Sequence, residues 1–347
     1  MSGDWVKAGD PNDAEGASAA DSCSDQRTGP SGLEWAIRHT GSDGRAHEAR
    51  IVAVGATLRR YDVDSAPVIR GFAADQMCPD YRGKQLMPWP NRVGDGCYRL
   101  DDVEYRLALT EPERGNALHG LLCWQTWAAT ERTESSVTCE TVLYPQPGWA
   151  WTLRCRVTYA LDDEGLRITP WVRNESPQTA PAAPFGYSAH PYVTAGEERV
   201  DDVEVTLPAQ ERLRVDPERL LPLASSLAES VAPVEGEAVL TGGLLGERDL
   251  DLAYTSMRAD ADGRWRAVVR HPATGRSSTL WAPADAYPWA QIFTGGALPE
   301  PVRRRSGIAL EPMTCGPDAL RTGEGLIMLS TGQEWSAPWG LSSSPPS

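Results

Sequence analysis

The feature that most constrains the fold is a strict alternation of apolar and polar residues near the middle of the chain. The apolar positions are Trp151, Leu153, Cys155, Val157, Tyr159 and Leu161. Because successive side chains of a β-strand point to opposite faces, this pattern predicts a strand with one buried face. An acidic turn at 162–165 and the apolar Leu166, Ile168 and Val172 predict an antiparallel partner directly after it.

Shorter patterns of the same kind recur along the chain, and Gly-, Pro- or Asp-rich turns separate them. They lie at 51–63, 98–105, 137–143, 203–207, 265–269 and 279–281. No stretch keeps an apolar period of three to four residues, although short helical turns are expected at 112–118, 217–230 and 284–288. Many short strands with such turns predict an all-β domain, either a sandwich or a barrel. The Pro-rich stretch 176–184 is predicted to be a loop that crosses between sheets.

The ends of the chain differ from the rest in texture. Residues 1–32 are rich in Gly, Ala, Ser and Asp without periodicity, which predicts a disordered N-terminal tail. Residues 33–341 contain no linker and are predicted to form a single domain. Residues 342–347 are predicted to be a disordered C-terminal tail.

Charge and cysteine usage restrict the partners and the compartment. The formal net charge of −15 disfavours nucleic acid or an anionic membrane as a general partner. No apolar run approaches the roughly 20 residues that a membrane helix needs, and the N-terminus has no basic-then-apolar signal pattern. Seven scattered cysteines without a C-x-x-C motif are typical of reduced thiols, so a cytoplasmic protein is expected. The five histidines show no metal-ligand spacing, and we predict no metal.

The stretch Gly307–Thr314 carries a single carboxylate, Glu311, behind an apolar run and before Pro312. The run predicts a buried strand, and proline predicts that strand pairing ends near Glu311. A carboxyl group at this place is partly desolvated, which raises its pKa and makes it a better base at neutral pH. The alternative is a strand-end acid whose hydrogen bonds are satisfied.

Other polar residues stand among apolar or aromatic neighbours. His190 lies between aromatic residues and before Pro191, and an imidazole that titrates near neutrality suits a general acid. Asn91 and Arg92 offer several donors for hydroxyl oxygens, or they form a capped turn. His119 lies in an apolar loop and could equally be a satisfied core residue.

Taken in order, these segments resemble the aldose 1-epimerases, also called galactose mutarotase-like proteins, and within them an actinobacterial-looking branch. The matching motifs are Asn91-Arg92, Asn116-Ala117-Leu118-His119-Gly120, His190-Pro191-Tyr192, Asp251-Leu252-Ala253-Tyr254, Gln291-Ile292-Phe293-Thr294-Gly295, Leu310-Glu311-Pro312 and Pro317-Asp318-Ala319. The resemblance covers roughly 33–338. Met313 stands where family members commonly have Gln, and Leu121 stands where many have a second Gly. Asp249, near Asp251, leaves the choice of aspartate open.

The resemblance implies a large antiparallel β-sandwich and the interconversion of the α- and β-anomers of an aldose. It implies Glu311 as the base and His190 as the acid. It also implies that Arg92, His119 and Asp251 bind the sugar, with Asn91 orienting Arg92. No cofactor is implied, the partner is a small sugar, and we expect a monomer or a weak homodimer.

Other functions remain open at this point. A hexose-phosphate mutarotase would need a basic grip, for which Arg303-Arg304-Arg305 is a candidate or merely a solvated turn. A catalytically silent sugar-binding protein is the alternative outside enzymes. A lyase or glycosidase of similar fold would need a second acid, which the sequence does not place beside Glu311.

Overall fold

The computed structural model describes residues 28–196, 199–298 and 307–346. Most of the predicted N-terminal tail, residues 1–27, lies outside the described residues, as does the basic run Arg303–Arg305. In the described part no helix is long and apolar enough to cross a membrane.

Strands dominate the described part of the chain. In order they are β1 (Thr28–Gly29), β2 (Gly32–Thr40), β3 (Ala46–Val52), β4 (Thr57–Val63), β5 (Ala66–Pro67), β6 (Gln85–Leu86), β7 (Arg92–Gly94), β8 (Cys97–Leu100), β9 (Val103–Arg106), β10 (Asn116–Leu118), β11 (Ala128–Arg132), β12 (Ser136–Leu143), β13 (Leu153–Asp162), β14 (Gly165–Asn174), β15 (Ala183–Phe185), β16 (Ser188–Ala189), β17 (Tyr192–Val193), β18 (Glu204–Thr206), β19 (Ala209–Leu213), β20 (Val231–Pro233), β21 (Thr241–Leu244), β22 (Asp251–Met257), β23 (Arg264–Arg270), β24 (Ser277–Pro283), β25 (Trp289–Phe293), β26 (Ile308–Met313), β27 (Ile327–Leu329), β28 (Glu334–Ser336) and β29 (Trp339–Ser344).

Helices are few and short. They are α1 (Leu227–Ser230), α2 (Ala319–Thr322) and single 3₁₀ turns at Val200–Asp202 and Gly236–Ala238. Of the predicted helical turns, only 217–230 contains a helix. The prediction at 112–118 is wrong, because Asn116–Leu118 pairs with β7 as a strand, and 284–288 forms turns.

Two large antiparallel sheets confirm the sandwich. The ten-stranded sheet has the order β11-β12-β13-β14-β29-β24-β23-β18-β21, with β28 beside β14. The eight-stranded sheet has the order β20-β19-β22-β25-β26-β16-β6, with β17 beside β26. The alternating stretch forms β13, which pairs with β14 along its whole length. One apolar core contains side chains from both sheets, including Val157, Ile292 and Leu310.

A buried chain of hydrogen bonds also joins the two sheets. Gln85 donates to the hydroxyl of Tyr159 at 2.8 Å, and the hydroxyl of Tyr187 donates to Gln85 at 2.6 Å. Trp339 donates in turn to Tyr187 at 2.9 Å. These groups are satisfied within the core, where an unpaired polar atom would cost about 1–3 kcal/mol. The loop 176–184 runs from β14 of one sheet towards β15 and β16 of the other side, as predicted.

The strands extend past the predicted ends of the domain. β1 pairs with β2 ahead of residue 33. At the C-terminus, β29 continues beyond residue 341, because Ser342–Ser344 pair with Ser277–Thr279 of β24. These backbone hydrogen bonds hold a serine-rich segment whose composition alone indicates a loose tail.

The expectation that strand pairing ends near Glu311 is wrong. β26 continues past it, and Pro312 lies opposite Ala290 of β25. On its other edge, β26 passes from one short neighbour, β17, to another, β16, within the described residues. The N–H of Leu310 faces that edge and donates to Pro191 at 3.1 Å. Because N–H direction alternates along a strand, the nitrogen of Pro312 faces the same interrupted edge, where a missing donor removes no ladder bond.

Candidate active site

Glu311 lies on the face of β26 that points away from the main core. Its neighbour Leu310 belongs to that core, and alternation turns Glu311 to the opposite side. The side chain is buried, and Oε1 lies 3.3 Å from Nε2 of His190. Oε2 is buried and has no protein partner in the described part of the chain. Burial raises the pKa of Glu311 well above its ordinary value; the negative charge of Asp251 adds to this, and the guanidinium of Arg92 opposes it.

His190 occupies the break between β16 and β17. Its backbone N–H donates to the Lys84 carbonyl at 3.0 Å, and its carbonyl accepts from Gly83 N–H at 2.8 Å. The imidazole stacks with Tyr192 at 5.3 Å and lies 6.3 Å from the ring of Tyr81. These contacts hold the ring so that Nε2 faces the carboxyl group of Glu311.

The expectation that His190 titrates near neutrality is wrong. Burial lowers the pKa of His190 to about 3, against a small raising effect of a backbone hydrogen bond and with a further lowering by Arg82. Since burial disfavours charge on both His190 and Glu311, the pair favours one proton shared between a neutral carboxyl and a neutral imidazole.

Asn91 and Arg92 enter the site at the start of β7. The Asn91 side-chain carbonyl accepts the Arg92 backbone N–H at 2.9 Å, and its amide group donates to Gln291 at 3.3 Å. Asn91 itself is buried and adopts a left-handed backbone with φ of 54°. Both ends of its side chain are therefore occupied by protein, which suits the orienting role expected for it.

Arg92 is held by carboxylates on its two sides. Its Nε and Nη2 donate to the two oxygens of Glu111 at 2.9 and 3.0 Å, and Nη2 lies 3.6 Å from Asp251. Burial alone would lower the pKa of Arg92, but the hydrogen bond to Glu111 outweighs it, and the pKa is raised. The guanidinium is thus a fixed cation beside Glu311.

His119 reaches the site from a strained loop. Its φ is 64°, its N–H donates to the Asn91 carbonyl at 2.9 Å, and its ring meets that of His190 edge-on at 5.2 Å. Nδ1 is buried without a protein partner among the described residues. Burial lowers the pKa of His119 well below its usual value, with contributions from His190 and Arg92. Gly120 is required next to it, because a Cβ there would lie 2.1 Å from the Met87 carbonyl oxygen.

Asp251 begins β22 and faces Arg92. Its Oδ1 accepts the amide of Gln291 at 2.5 Å. Burial raises the pKa of Asp251, although Arg92 and the hydrogen bond from Gln291 oppose the shift. Asp249, the other aspartate considered, lines a neighbouring cavity instead. The structure therefore brings Asp251 together with the other predicted residues.

Several residues of the site escaped the sequence reasoning. Gln291 lies directly opposite Glu311 in the β25–β26 pair and bridges Asn91 to Asp251. Glu111 anchors Arg92, yet it stands in an irregular loop that gives no local signal. Tyr81 packs its ring 4.7 Å from that of His119. Only Gln291 lay in a segment that the sequence singled out.

The Pro-Asp-Ala motif and the family departures also find a place. Asp318 holds β7, because its N–H donates to the Arg92 carbonyl at 2.8 Å and its carboxyl group accepts the Gly94 N–H at 2.9 Å. Burial raises the pKa of Asp318 to about 6. Met313 is buried with Trp289 in a small apolar cluster on the same side of the sheet as Glu311.

This arrangement places a proton acceptor and a proton donor in contact, with fixed hydrogen-bonding groups around them. Such a pair can move protons between two oxygens of one small substrate. Within the described residues there is no group of three or more side chains that could hold a metal ion.

Comparison with known proteins identifies the family. The family model described as aldose 1-epimerase matches residues 38–342. The chain therefore belongs to the aldose 1-epimerase family, and it is an epimerase, an enzyme of the isomerase class.

Relatives agree with this assignment. The chain is 30% identical over 299 residues to the uncharacterized protein YihR of Escherichia coli (strain K12), covering 83% of this chain and 87% of the relative. It is 26% identical over 279 residues to galactose mutarotase of Homo sapiens, covering 74% and 77%.

Solved structures show the same fold. A GalM/aldose epimerase homologue from C. elegans matches with a TM-score of 0.75 at 16% identity, covering 90% of this chain and 100% of the other. Galactose 1-epimerase from Lactobacillus acidophilus matches with a TM-score of 0.68 at 14% identity, covering 90% and 99%.

Proposed function

We propose that the protein interconverts the α- and β-anomers of a free aldohexose by general acid–base catalysis. The observation that carries this proposal is the buried contact of 3.3 Å between Glu311 Oε1 and His190 Nε2. A carboxyl group and an imidazole that share one proton supply both a base and an acid at a single site. The human relative is a galactose mutarotase, which supports a sugar of this class.

The proposed reaction begins when the shared proton moves from Glu311 to His190. The Glu311 carboxylate removes the proton from the C1 hydroxyl, and the His190 imidazolium protonates the ring oxygen O5. The C1–O5 bond breaks as C1=O1 forms, and the aldehyde turns about the C1–C2 bond. On closure, Glu311 returns its proton to O1 and His190 takes the proton from O5, so the pair is regenerated.

The surrounding groups are suited to holding the sugar during ring opening. The unpartnered Nδ1 of His119 and the guanidinium of Arg92 offer polar atoms to hydroxyls, and Asp251 offers a carboxylate oxygen. Their positions are fixed by Asn91 and Gln291 before the substrate arrives. Preorganised groups of this kind stabilise developing charge without reorganising during the reaction.

Polarimetry tests the proposal. Freshly dissolved α-D-glucose and α-D-galactose are followed to anomeric equilibrium with the wild-type protein, with Glu311→Gln and with Glu131→Gln, which alters an exposed glutamate on β11. We expect acceleration of at least one sugar, its loss in Glu311→Gln and its retention in Glu131→Gln. No acceleration by a folded wild-type protein, or full activity in Glu311→Gln, would overturn the proposal.

A further inference from the structure

A second recess opens beside the candidate active site. This extension cavity has a volume of about 860 Å³, and Asp251 forms part of its wall. Its size lies in the range of about 300–1,000 Å³ that is usual for small-molecule sites. Since Asp251 also faces Arg92 in the candidate site, the two spaces share one side chain.

The position of the cavity relative to Glu311 follows from the sheet. Glu311 is on β26, its neighbour is β25, and the next strand, β22, carries Asp251. Neighbouring strands are about 4.8 Å apart, so Asp251 lies about 10 Å across the sheet from the strand of Glu311. This separation is comparable with the length of a pyranose measured from O1 to O4. An aldose with C1 at Glu311 therefore presents its remote end to the extension cavity.

The lining of the extension cavity combines opposite charges with apolar surface. The charged residues are Arg114, Arg212, Arg214, Glu235, Glu237, Asp249 and Asp251. The carboxylates offset the arginines, so the cavity has no excess of positive charge that would favour an anion. Leu252 and Phe293 supply apolar walls. Alternating donors and acceptors beside apolar surface match the hydroxyl groups and C–H faces of a neutral sugar.

Arg212 shows that the polar groups of this cavity are incompletely used by the protein. Its Nε is buried and hydrogen-bonds to no protein atom in the described part of the chain. Arg214, by contrast, donates to the Glu229 carbonyl at 2.9 Å. A buried donor without a partner is costly, and a hydroxyl oxygen of a ligand would satisfy it.

We propose that the extension cavity binds a second, neutral sugar residue linked to the remote end of the aldose, as in a 1→4-linked reducing disaccharide. This inference rests on the proposed function for the orientation of the aldose. It assigns the protein a substrate class larger than a free monosaccharide.

Ala297 allows a direct test, because it is exposed at the rim of the cavity. Ala297→Trp fills the cavity, and Ala297→Ser is the matched control. Calorimetry measures the binding of maltose, glucose and glucose 6-phosphate, and polarimetry measures the anomer exchange of each. We expect wild-type and Ala297→Ser proteins to bind maltose roughly 10-fold more tightly than glucose, and Ala297→Trp to lose this gain while glucose binding stays unchanged.

The outcomes separate the two proposals. If glucose is turned over but maltose binds no more tightly than glucose, the extension cavity does not bind a second sugar. A preference for glucose 6-phosphate that Ala297→Trp removes would also overturn the inference, because it would assign the cavity to an anion. If no sugar is turned over but the maltose preference and its loss in Ala297→Trp are observed, the proposed catalysis fails and the binding site stands.

Discussion

The ion pair between Arg92 and Glu111 predicts a large and specific effect of one substitution. Both side chains are nearly inaccessible, and they meet through parallel hydrogen bonds of 2.9 and 3.0 Å. Removing one partner of a buried pair typically costs about 3–5 kcal/mol, because the other charge stays buried and unpaired. Asp251, at 3.6 Å from Arg92, offsets part of this cost. We therefore expect Glu111→Gln to lower the free energy of unfolding by about 3 kcal/mol.

Urea denaturation measures this loss, with Glu113→Gln as a matched control at an exposed glutamate. The same variant should lower kcat/KM for the aldose by about 10–100-fold, because Arg92 is no longer held in register with the sugar. In a background of Arg92→Met there is no cation left to neutralise. Glu111→Gln should then cost far less than in the wild-type protein. An equal cost in both backgrounds would refute the reasoning.

Further predictions concern proton balance and backbone geometry. Because burial lowers the pKa of His190 to about 3 and raises that of Glu311, the pH profile of kcat/KM should show no inflection near about 6.5, and such an inflection would contradict the shared proton. The pKa of Asp318 is raised to about 6, so its contribution to stability is present at low pH and is lost as pH rises through about 6. Relative to Asp318→Asn, the wild-type protein should lose up to about 3 kcal/mol between pH 4 and pH 8 in denaturant titrations; parallel curves would exclude this. Gly120→Ala should lower the free energy of unfolding by more than about 1–2 kcal/mol, because a Cβ would press on the Met87 carbonyl; an unchanged urea midpoint would contradict this.

The fold was largely predictable because its strands are amphipathic. The alternation that ends at Leu161 identifies β13, and the turn after it fixes the pairing with β14. The end of β26 was not predictable in the same way. Whether Pro312 interrupts a strand depends on which edge its nitrogen faces and on the gap between β16 and β17, and neither is encoded locally.

The candidate site was predictable only where motifs carried it. Glu311 and His190 stand in recognisable segments, and the structure brings them into contact. Glu111 has no such signal, because its role depends on the meeting of an irregular loop with β7 in three dimensions. The low pKa of His190 likewise follows from complete burial, which the residues next to it in sequence do not determine.

The central claim is that Glu311 and His190 act as one proton-transferring unit. The most direct test compares anomer exchange and sugar binding in Glu311→Gln, His190→Gln and the double variant. Each single variant should lose about 10²–10⁴-fold in kcat with little change in the dissociation constant of the sugar. The double variant should be no slower than the slower single variant. Losses that multiply in the double variant, or a single variant with normal turnover, would contradict the claim.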